Sequence, residues 1–316
     1  MKSKQIFTDF ERVCSNIPAE TDSSQDSSTI LFFYLDLRNE GIVQHFLDQF
    51  TFEICSRILP LKQQVHIRNI RDERLRIIKL INGIFVRYLV ACFEKNLGSL
   101  SDIKIAHGKF GKPAFSNRPD YSFNSSDEES ISSVAVCFHG VNPIGCDLSN
   151  PSDIEGFHLS DLRDFYKYEF RDIFTEMETI ELDKMFKSKY YADRNSQLQI
   201  LSQYWAIKES LSKMDGYGLN YGLRKYEILD IGHPTEFIRS NKKSMSKSLF
   251  EYLGNIKLKP VGEPKSGVRN ACFTIPETRL ICSVVGRYNS VKIIKVDAEG
   301  ISDLIKSAFS INIDAV

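Results

Sequence analysis

Apolar residues follow two distinct patterns in the first third of the chain. The segment STILFFYLDL, residues 28–37, is a run of β-branched and aromatic residues after a Ser/Asp-rich stretch, which predicts the first strand of a sheet. Over residues 71–95 the apolar positions recur at steps of three and four, and Gly98 follows as a typical C-terminal cap. This period predicts a long helix whose buried face consists of Leu75, Ile78, Ile81, Phe85, Tyr88 and Cys92.

Short apolar runs then indicate strands in a polar region. DIKIAHG and YSFN each predict a strand, and the surrounding Ser-rich residues 116–133 are otherwise typical of a loop. SVAVCF and PIGCDLS predict a hairpin that turns at residues 140–143. The two-residue pleat of the second strand places Gly145, Asp147 and Ser149 on one face, opposite Ile144, Cys146 and Leu148.

The second half begins with helices and returns to strands. Thr175 and Glu178 predict a capping box, and residues 195–215 predict a helix that stops at Gly216. KYEILD, ACFTI, RLICSVVG and VKIIKVD predict strands, and residues 300–309 predict a last short helix. The order of elements predicts an α+β fold in two parts, residues 1–141 and 142–316, each with a long helix followed by strands.

Composition narrows the class of protein. The 316 residues are 42% hydrophobic and 26% charged, and 41 basic residues balance 41 acidic ones, which argues against a general nucleic-acid binder. Seven scattered cysteines form no CxxC pair, which predicts free thiols in a reducing cytosol and no zinc site. No secretory signal or bilayer-spanning segment is evident, so we expect a cytoplasmic protein with no membrane partner.

Four segments carry candidate chemistry, and each has an ordinary structural interpretation. Trp205, Glu209 and Lys213 recur every four residues beside Lys208; a Glu–Lys pair at this spacing is most often an exposed pair worth about 0.3–0.5 kcal/mol. Asp147 is either a turn residue or a ligand for a hard cation such as Mg²⁺. KFGKP is a common turn or a phosphate anchor, and FNSSDEES is an acidic loop or part of a phosphate and metal site.

The order of these segments resembles a known family. GKP, FNSSD, PIGCDLS and, about 60 residues later, YWAIKESLSK are similar to the motifs of the Sfp-type 4′-phosphopantetheinyl transferases, and within them to the eukaryotic type, including the fungal enzyme that activates aminoadipate reductase. The resemblance covers roughly residues 71–228 well. It implies two similar α+β halves related by a pseudo-twofold axis, with coenzyme A and Mg²⁺ in the cleft between them.

The resemblance also implies roles for individual residues. Asp147 and Glu209 become Mg²⁺ ligands, Glu209 alternatively being the catalytic base, and Glu128 is a further candidate ligand. Lys213 is expected to be catalytic by stabilising charge on the coenzyme phosphates. The remaining residues expected to bind the coenzyme are Arg74, Lys112, Pro113, Ser126, Asp127 and Lys208.

One position departs from the family pattern. Asp127 stands where the family usually has a His, so an anion replaces a cation expected to face phosphate. His107 and Lys109 are candidates to compensate for this change. The bacterial members' second acid after the strand aspartate is Ser149 here, which leaves Glu128 as the candidate replacement.

The implied reaction transfers 4′-phosphopantetheine from coenzyme A to a serine of an apo carrier-protein domain and releases 3′,5′-ADP. An aminoadipate reductase, a fatty acid synthase and a peptide synthetase are all candidate carriers, and we expect the protein to act as a monomer. Two alternatives remain: an inactive relative that binds coenzyme A or a carrier domain without transfer, and an unrelated α+β interaction protein.

Overall fold

A computed structural model describes residues 29–38, 40–93, 100–138, 140–228, 231, 250–257, 259–260 and 267–297. The N-terminal residues, the NKKSMSKS segment and the predicted helix at 300–309 lie outside the described residues. The fold is mixed α+β, as predicted. No helix in the described part of the chain is long and apolar enough to cross a bilayer.

The described residues of the first half form four α-helices and five strands. The helices are α1 (Glu40–His45), α2 (Gln49–Ser56), α3 (Leu61–Arg68) and α4 (Glu73–Phe93). The strands are β1 (Thr29–Asp36), β2 (Ile105–His107), β3 (Pro113–Phe115), β4 (Tyr121–Glu128) and β5 (Ile131–Phe138).

In the part of the second half that the structure describes there are three α-helices and six strands. The helices are α5 (Pro151–Glu155), α6 (Glu176–Lys187) and α7 (Arg194–Asp215). The strands are β6 (Gly145–Ser149), β7 (Phe250–Lys257), β8 (Lys259–Pro260), β9 (Arg269–Thr274), β10 (Ile281–Gly286) and β11 (Ser290–Val296).

Two sheets form the centre of the molecule. The first has the strand order β4-β5-β1-β11-β7 and the second β6-β10-β9-β8, while β2 and β3 pair separately. Strand β1 pairs in parallel with β11 from the far end of the chain, so the last strands complete the first sheet. The predicted division at residue 141 stays a prediction.

Alternation along β1 explains why its sequence is continuously apolar. Leu31, Phe33 and Leu35 pack towards α4, whereas Ile30, Phe32 and Tyr34 pack between the two sheets. The ring of Phe32 meets that of Phe273 on β9 edge to face, with 5.2 Å between centroids. On the far side of the second sheet, Ile281 and Val285 of β10 belong to a third core with α7.

Helix boundaries follow the predicted capping signals. Thr175 and Glu178 form the predicted capping box of α6, and α7 ends at Gly216, whose φ of 78° is the left-handed conformation that glycine adopts most readily. In α4 the predicted buried face is confirmed from Ile78 to Tyr88, whereas Leu75 in the first turn is 42% exposed, and the side chain of Cys92 lies outside the described part of the chain.

Three predictions about strands were wrong. SVAVCF and PIGCDLS do not form a hairpin, because β5 and β6 belong to different sheets. The segment FNSSDE is not a loop: it continues β4 as far as Glu128 and pairs with β5. Residues 225–228 of KYEILD are not a strand.

Candidate active site

The second part of helix α7 is buried except along one stripe. Between Ile200 and Met214 every side chain is buried save those of Trp205, Glu209 and Lys213, which are half-buried. Residues four apart lie on one face of a helix, so these three side chains share a face. The indole ring of Trp205 packs edge to face on Phe170, and the acid and the lysine lie further along the same stripe.

Asp147 of β6 is the anionic partner of this stripe. Its side chain is 9% exposed, and its Oδ1 accepts a hydrogen bond of 2.6 Å from Lys213 Nζ and one of 3.1 Å from Ser126 Oγ. Lys213 Nζ also lies 3.2 Å from Ser126 Oγ. The face of β6 predicted from the pleat is confirmed, because Cys146 and Leu148 pack on the opposite side, between the sheets.

Gly145 allows α7 to approach β6 closely. A Cβ atom at this position would lie only 1.8 Å from the backbone carbonyl oxygen of Ser210. A side chain of any size is therefore excluded, and glycine here brings the helix stripe within reach of Asp147.

Polar side chains of β4 join the edges of the two sheets. Asn124 Oδ1 accepts a hydrogen bond of 2.8 Å from the backbone N–H of Cys146, and Ser126 Oγ accepts one of 3.2 Å from that of Leu148. Asn124 was not predicted as a site residue. Its position two residues before Ser126, on the same face of the strand, is the signal that could have identified it.

Burial and neighbouring charges shift the pKa values of the three ionisable groups of the site. Burial raises the pKa of Glu209, and the charge of Asp147 raises it further. Burial likewise raises the pKa of Asp147, against the opposing effect of Lys213. Burial acts to lower the pKa of Lys213, but the Asp147 carboxylate outweighs it and holds that pKa above its usual value. Within the described part of the chain, the Glu209 carboxylate has no hydrogen-bond or ion-pair partner.

Glu128 lies close to the same carboxylates. Burial raises its pKa to about 7, and Asp153, Glu129, Asp147 and Asp127 add to the rise. Because Glu128 and Ser126 are two residues apart on β4, they share the face towards β6. The site therefore concentrates negative charge around Asp147.

The donor set suits a magnesium ion that is shared with a phosphate ligand. Among the described residues, no group of three or more His, Cys, Asp or Glu side chains has the geometry of a complete metal site. Mg²⁺ commonly binds through only one or two carboxylates and takes its other oxygens from substrate phosphates and water. Asp147 and the unpartnered Glu209 meet that smaller requirement.

Other predicted coenzyme contacts have protein partners. Arg74 Nη2 donates to the carbonyl of Leu37 at 3.2 Å and to Ser130 Oγ at 3.3 Å. Lys112 Nζ donates to the carbonyls of Met214 at 2.6 Å and Ile144 at 3.1 Å, and burial lowers its pKa to about 8. Lys112 thus supports the C-terminal end of α7, where a cation is favourable. Pro113 opens β3 and is half-buried.

Lys208 lies in the core, which disagrees with its predicted contact with the coenzyme. Its side chain is fully buried and pairs with the equally buried Glu178 at 2.8 Å. Lys208 Nζ also donates to the carbonyl of Tyr226 at 2.6 Å. Removing one partner of a buried ion pair costs about 3–5 kcal/mol, so this lysine anchors α7 to α6 and is not available to a ligand.

Asp127 faces away from Asp147. Strand alternation turns it towards α4, where Lys79 Nζ lies 2.5 Å from its Oδ2. Lys79 was not predicted as a partner of Asp127 from the sequence. The role of His107 and Lys109 as cations that compensate for the missing His at a phosphate stays a prediction.

Sequence comparisons identify relatives of the chain. No protein-family model matches it. It is 26% identical over 185 residues to the L-aminoadipate-semialdehyde dehydrogenase-phosphopantetheinyl transferase of Candida glabrata, with 58% of this chain and 64% of that relative covered. The protein of the same name from Saccharomyces cerevisiae is 26% identical over 189 residues, with 58% and 62% covered.

A bacterial protein matches a shorter region. The 4′-phosphopantetheinyl transferase Sfp of Bacillus subtilis is 26% identical over 128 residues, 40% of this chain and 48% of that protein. The chain thus spans a little under two thirds of the two yeast relatives' length. These similarities confirm the resemblance predicted from the motifs: the chain is similar to the Sfp-type phosphopantetheinyl transferases, including the eukaryotic, aminoadipate-related type.

Proposed function

We propose that the protein transfers 4′-phosphopantetheine from coenzyme A to a serine hydroxyl of an apo carrier-protein domain and releases 3′,5′-ADP. The observation that carries this proposal is the meeting of Asp147, Lys213 and Ser126, with Glu209 one turn before Lys213 on the same half-buried face of α7. Two acids and one cation at such a place suit a reaction between a hydroxyl and a diphosphate.

The residues have separable roles in this reaction. Asp147 and Glu209 would hold Mg²⁺, with Glu128 as a further ligand. When bound, the ion would neutralise charge on the diphosphate and align it. Lys213 lies beside Asp147 and would face the oxygens that gain charge as 3′,5′-ADP departs.

Glu209 is also placed to accept the proton of the attacking hydroxyl. The oxygen of the carrier serine forms a bond to the phosphorus attached to pantetheine, the bond from that phosphorus to 3′,5′-ADP breaks, and the proton passes to Glu209. A raised pKa brings a carboxylate closer to the range in which general bases work well at neutral pH.

The finer architecture belongs to the same proposal. Each half combines one long helix with a sheet, α4 with the first and α7 with the second, which supports a pseudo-twofold relation between similar halves. The substrate would lie where the edge strands β4 and β6 meet. The free, buried cysteines of the described residues fit a reducing compartment such as the cytosol, and we propose a monomer acting on a carrier domain.

The names of the relatives favour transfer over binding alone. All three relatives described above are named transferases, and nothing in them supports an inactive relative. Two of the names refer to aminoadipate-semialdehyde dehydrogenase, so we propose the aminoadipate reductase of lysine biosynthesis as the first carrier to test.

A mass-shift assay tests the proposal. The protein is incubated with coenzyme A, Mg²⁺ and apo carrier domains from an aminoadipate reductase, a fatty acid synthase and a peptide synthetase. One carrier should gain the mass of a phosphopantetheine group. Glu209→Gln should slow this transfer at least about 100-fold with an unchanged circular dichroism spectrum, because it loses the base and a metal ligand.

A control variant completes the experiment. Glu181→Gln makes the same chemical change on the exposed surface of α6 and should retain wild-type turnover. Near-normal transfer by Glu209→Gln would refute the assigned role of Glu209. Failure of the wild-type protein to modify any of the three carriers would refute the proposed function.

A further inference from the structure

Lys213 occupies the carboxylate that a divalent cation would need. Its Nζ lies 2.6 Å from Asp147 Oδ1 and 3.2 Å from Ser126 Oγ, and Ser126 Oγ donates to the same Oδ1 at 3.1 Å. A carboxylate oxygen has about two lone pairs, so these two hydrogen bonds use the accepting capacity of Oδ1. A cation that binds Asp147 must therefore take the other oxygen, beside the ammonium, or displace Lys213.

The ion pair also removes negative charge from the site. When Asp147 and Glu209 are both ionised, the ammonium of Lys213 cancels one of their two charges. A dication at Asp147 would also be repelled by that ammonium. Because the Asp147 side chain is only 9% exposed, water screens this repulsion weakly. Lys213 thus opposes cation binding for as long as it stays on Asp147.

The position of Lys213 allows it to leave this pair. Its side chain is 28% exposed, so the ammonium lies on the solvent side of the contact. In the described part of the chain, Asp147 and Ser126 are the hydrogen-bond partners of its Nζ. A diphosphate has more charge and more acceptor oxygens than one carboxylate, so it attracts the ammonium away from Asp147. Ser126 then still holds the carboxylate in place.

We propose that Lys213 is an internal competitor of the divalent cation, so that the cation binds firmly only together with a diphosphate. The lysine covers Asp147 in the unliganded protein, and a bound diphosphate takes up the ammonium and leaves the carboxylate to the cation. Identifying that diphosphate as the one in coenzyme A rests on the proposed function. By linkage, the cation and the diphosphate strengthen each other's binding by the same factor.

Cation binding to the full chain, with Mn²⁺ as the probe, tests this inference. Carboxylate and water ligands suit Mn²⁺ as they suit Mg²⁺, and electron paramagnetic resonance measures the Mn²⁺ that stays in solution. Lys213→Met should bind Mn²⁺ alone at least about fivefold more tightly than wild type, the lower end of common coupling factors. Lys213→Gln, which keeps a hydrogen-bond donor without the charge, should do the same.

Coenzyme A provides the second part of the test. At saturating coenzyme A, and after correction for Mn²⁺ bound by the coenzyme in solution, the advantage of Lys213→Met should shrink to less than about twofold. The reason is that the diphosphate then holds the wild-type ammonium away from Asp147. Pantetheine, which has no phosphate, should leave the advantage unchanged.

Lys167→Met is the matched control. Lys167 also pairs with a carboxylate, that of Asp183 on α6, at 2.8 Å, and its side chain is 33% exposed. Neither residue takes part in the contacts of Asp147, so Mn²⁺ affinity should stay at the wild-type value.

Two results would overturn the inference: Mn²⁺ binding by Lys213→Met and Lys213→Gln that is equal to or weaker than that of wild type, or an advantage that coenzyme A leaves unchanged. Tighter binding by both variants that coenzyme A abolishes, in a protein that modifies no carrier domain, would instead overturn the proposed function alone. Circular dichroism spectra that match the wild-type spectrum show that each variant is folded.

Discussion

The ionisation of Glu128 links the acidic surroundings of this site to the stability of the fold. Its carboxyl is half-buried and feels the charges of four other acids, so its pKa rises to about 7. A carboxyl whose pKa is higher in the folded than in the unfolded state stabilises the fold fully below the unfolded pKa, and this contribution is lost as the pH rises through 7. At neutral pH and above, the ionised Glu128 therefore destabilises the metal-free protein.

Glu128→Gln should consequently stabilise the metal-free protein at high pH. At pH 8 we expect its free energy of unfolding to exceed that of wild type by on the order of 2 kcal/mol, and the gain should shrink towards zero near pH 5. Urea denaturation at the two pH values in the presence of a chelator measures this difference.

An exposed acid provides the comparison. Glu169→Gln makes the same substitution at an exposed position and should change the free energy of unfolding by less than about 0.5 kcal/mol at either pH. A gain for Glu128→Gln that is the same at pH 5 and pH 8 would contradict the interpretation of its surroundings.

Residue-level prediction from the sequence succeeded where periodicity determines direction. Asp147, Lys213 and Ser126 meet because of the pleat of two strands and the turn of one helix, and Glu209 lies one turn before Lys213 on the same face of α7. The lysines at 208 and 112 could not be placed from sequence. Their partners are a distant glutamate and backbone carbonyls, which only the folded chain brings near them.

At the scale of elements, the contact between α7 and β6 sets the geometry of the site. It depends on the absence of a side chain at Gly145, since any Cβ there would collide with the backbone of Ser210. Backbone atoms within a helix cannot yield as a flexible side chain can. The helix would have to move away from the strand, taking Glu209 and Lys213 with it.

Gly145→Ala should therefore be severe for so small a change. We expect it to lower the free energy of unfolding by at least about 3 kcal/mol, at or above the upper end for overpacked cores, and to lower transfer activity as well. The midpoint of urea unfolding and the rate of carrier modification measure the two effects.

Gly108→Ala serves as the reference substitution. The nearest atom to a Cβ at Gly108 is the Lys112 carbonyl oxygen at 3.7 Å, an ordinary contact, so this variant should lose less than about 1 kcal/mol. Equal unfolding midpoints for Gly145→Ala and wild type would mean that the helix and strand can separate without cost.

Elements with strong periodicity were predicted well, and β4 was not. Its second half, Ser125–Glu128, is polar on both faces because it lies at the edge of its sheet and touches polar groups on each side. Such a strand has the composition of a loop. The hairpin of SVAVCF and PIGCDLS was predicted because two consecutive strands joined by a turn usually pair. Only the topology shows that β5 and β6 belong to different sheets.

At the scale of the whole molecule, β11 from the second half of the chain completes the sheet that β1 begins. This strand lies between β1 and β7, and Val291, Ile293, Ile294 and Val296 are each at most 1% exposed. Burying four such side chains contributes about 6–12 kcal/mol, which is comparable to the net stability of a typical domain. The first sheet thus depends on residues from both ends of the described chain.

The two predicted halves should therefore not fold separately. A fragment of residues 1–141 lacks β11 and β7, and we expect it to show no cooperative thermal transition by circular dichroism. The complementary fragment, 142–316, lacks β1, β4 and β5 and should behave in the same way. The intact chain should unfold in a single transition.

The opposite result would be equally clear. A cooperative transition for the 1–141 fragment alone would show that β1, β4 and β5 with α4 suffice for a core. The packing at the centre of the sheet would then be less important than its burial indicates.

Strand β4 makes specific contacts on both of its faces, which limits the insertions and deletions that it can accept. Ser126 contacts Asp147 on β6 and Asp127 contacts Lys79 on α4, because the two residues are neighbours on a pleated strand and point to opposite faces. Inserting or deleting one residue upstream in β4, with the rest of its pairing held, would exchange their directions and turn each away from its partner. Length changes within this strand should therefore be tolerated only in pairs, whereas ordinary substitutions at its exposed positions remain open.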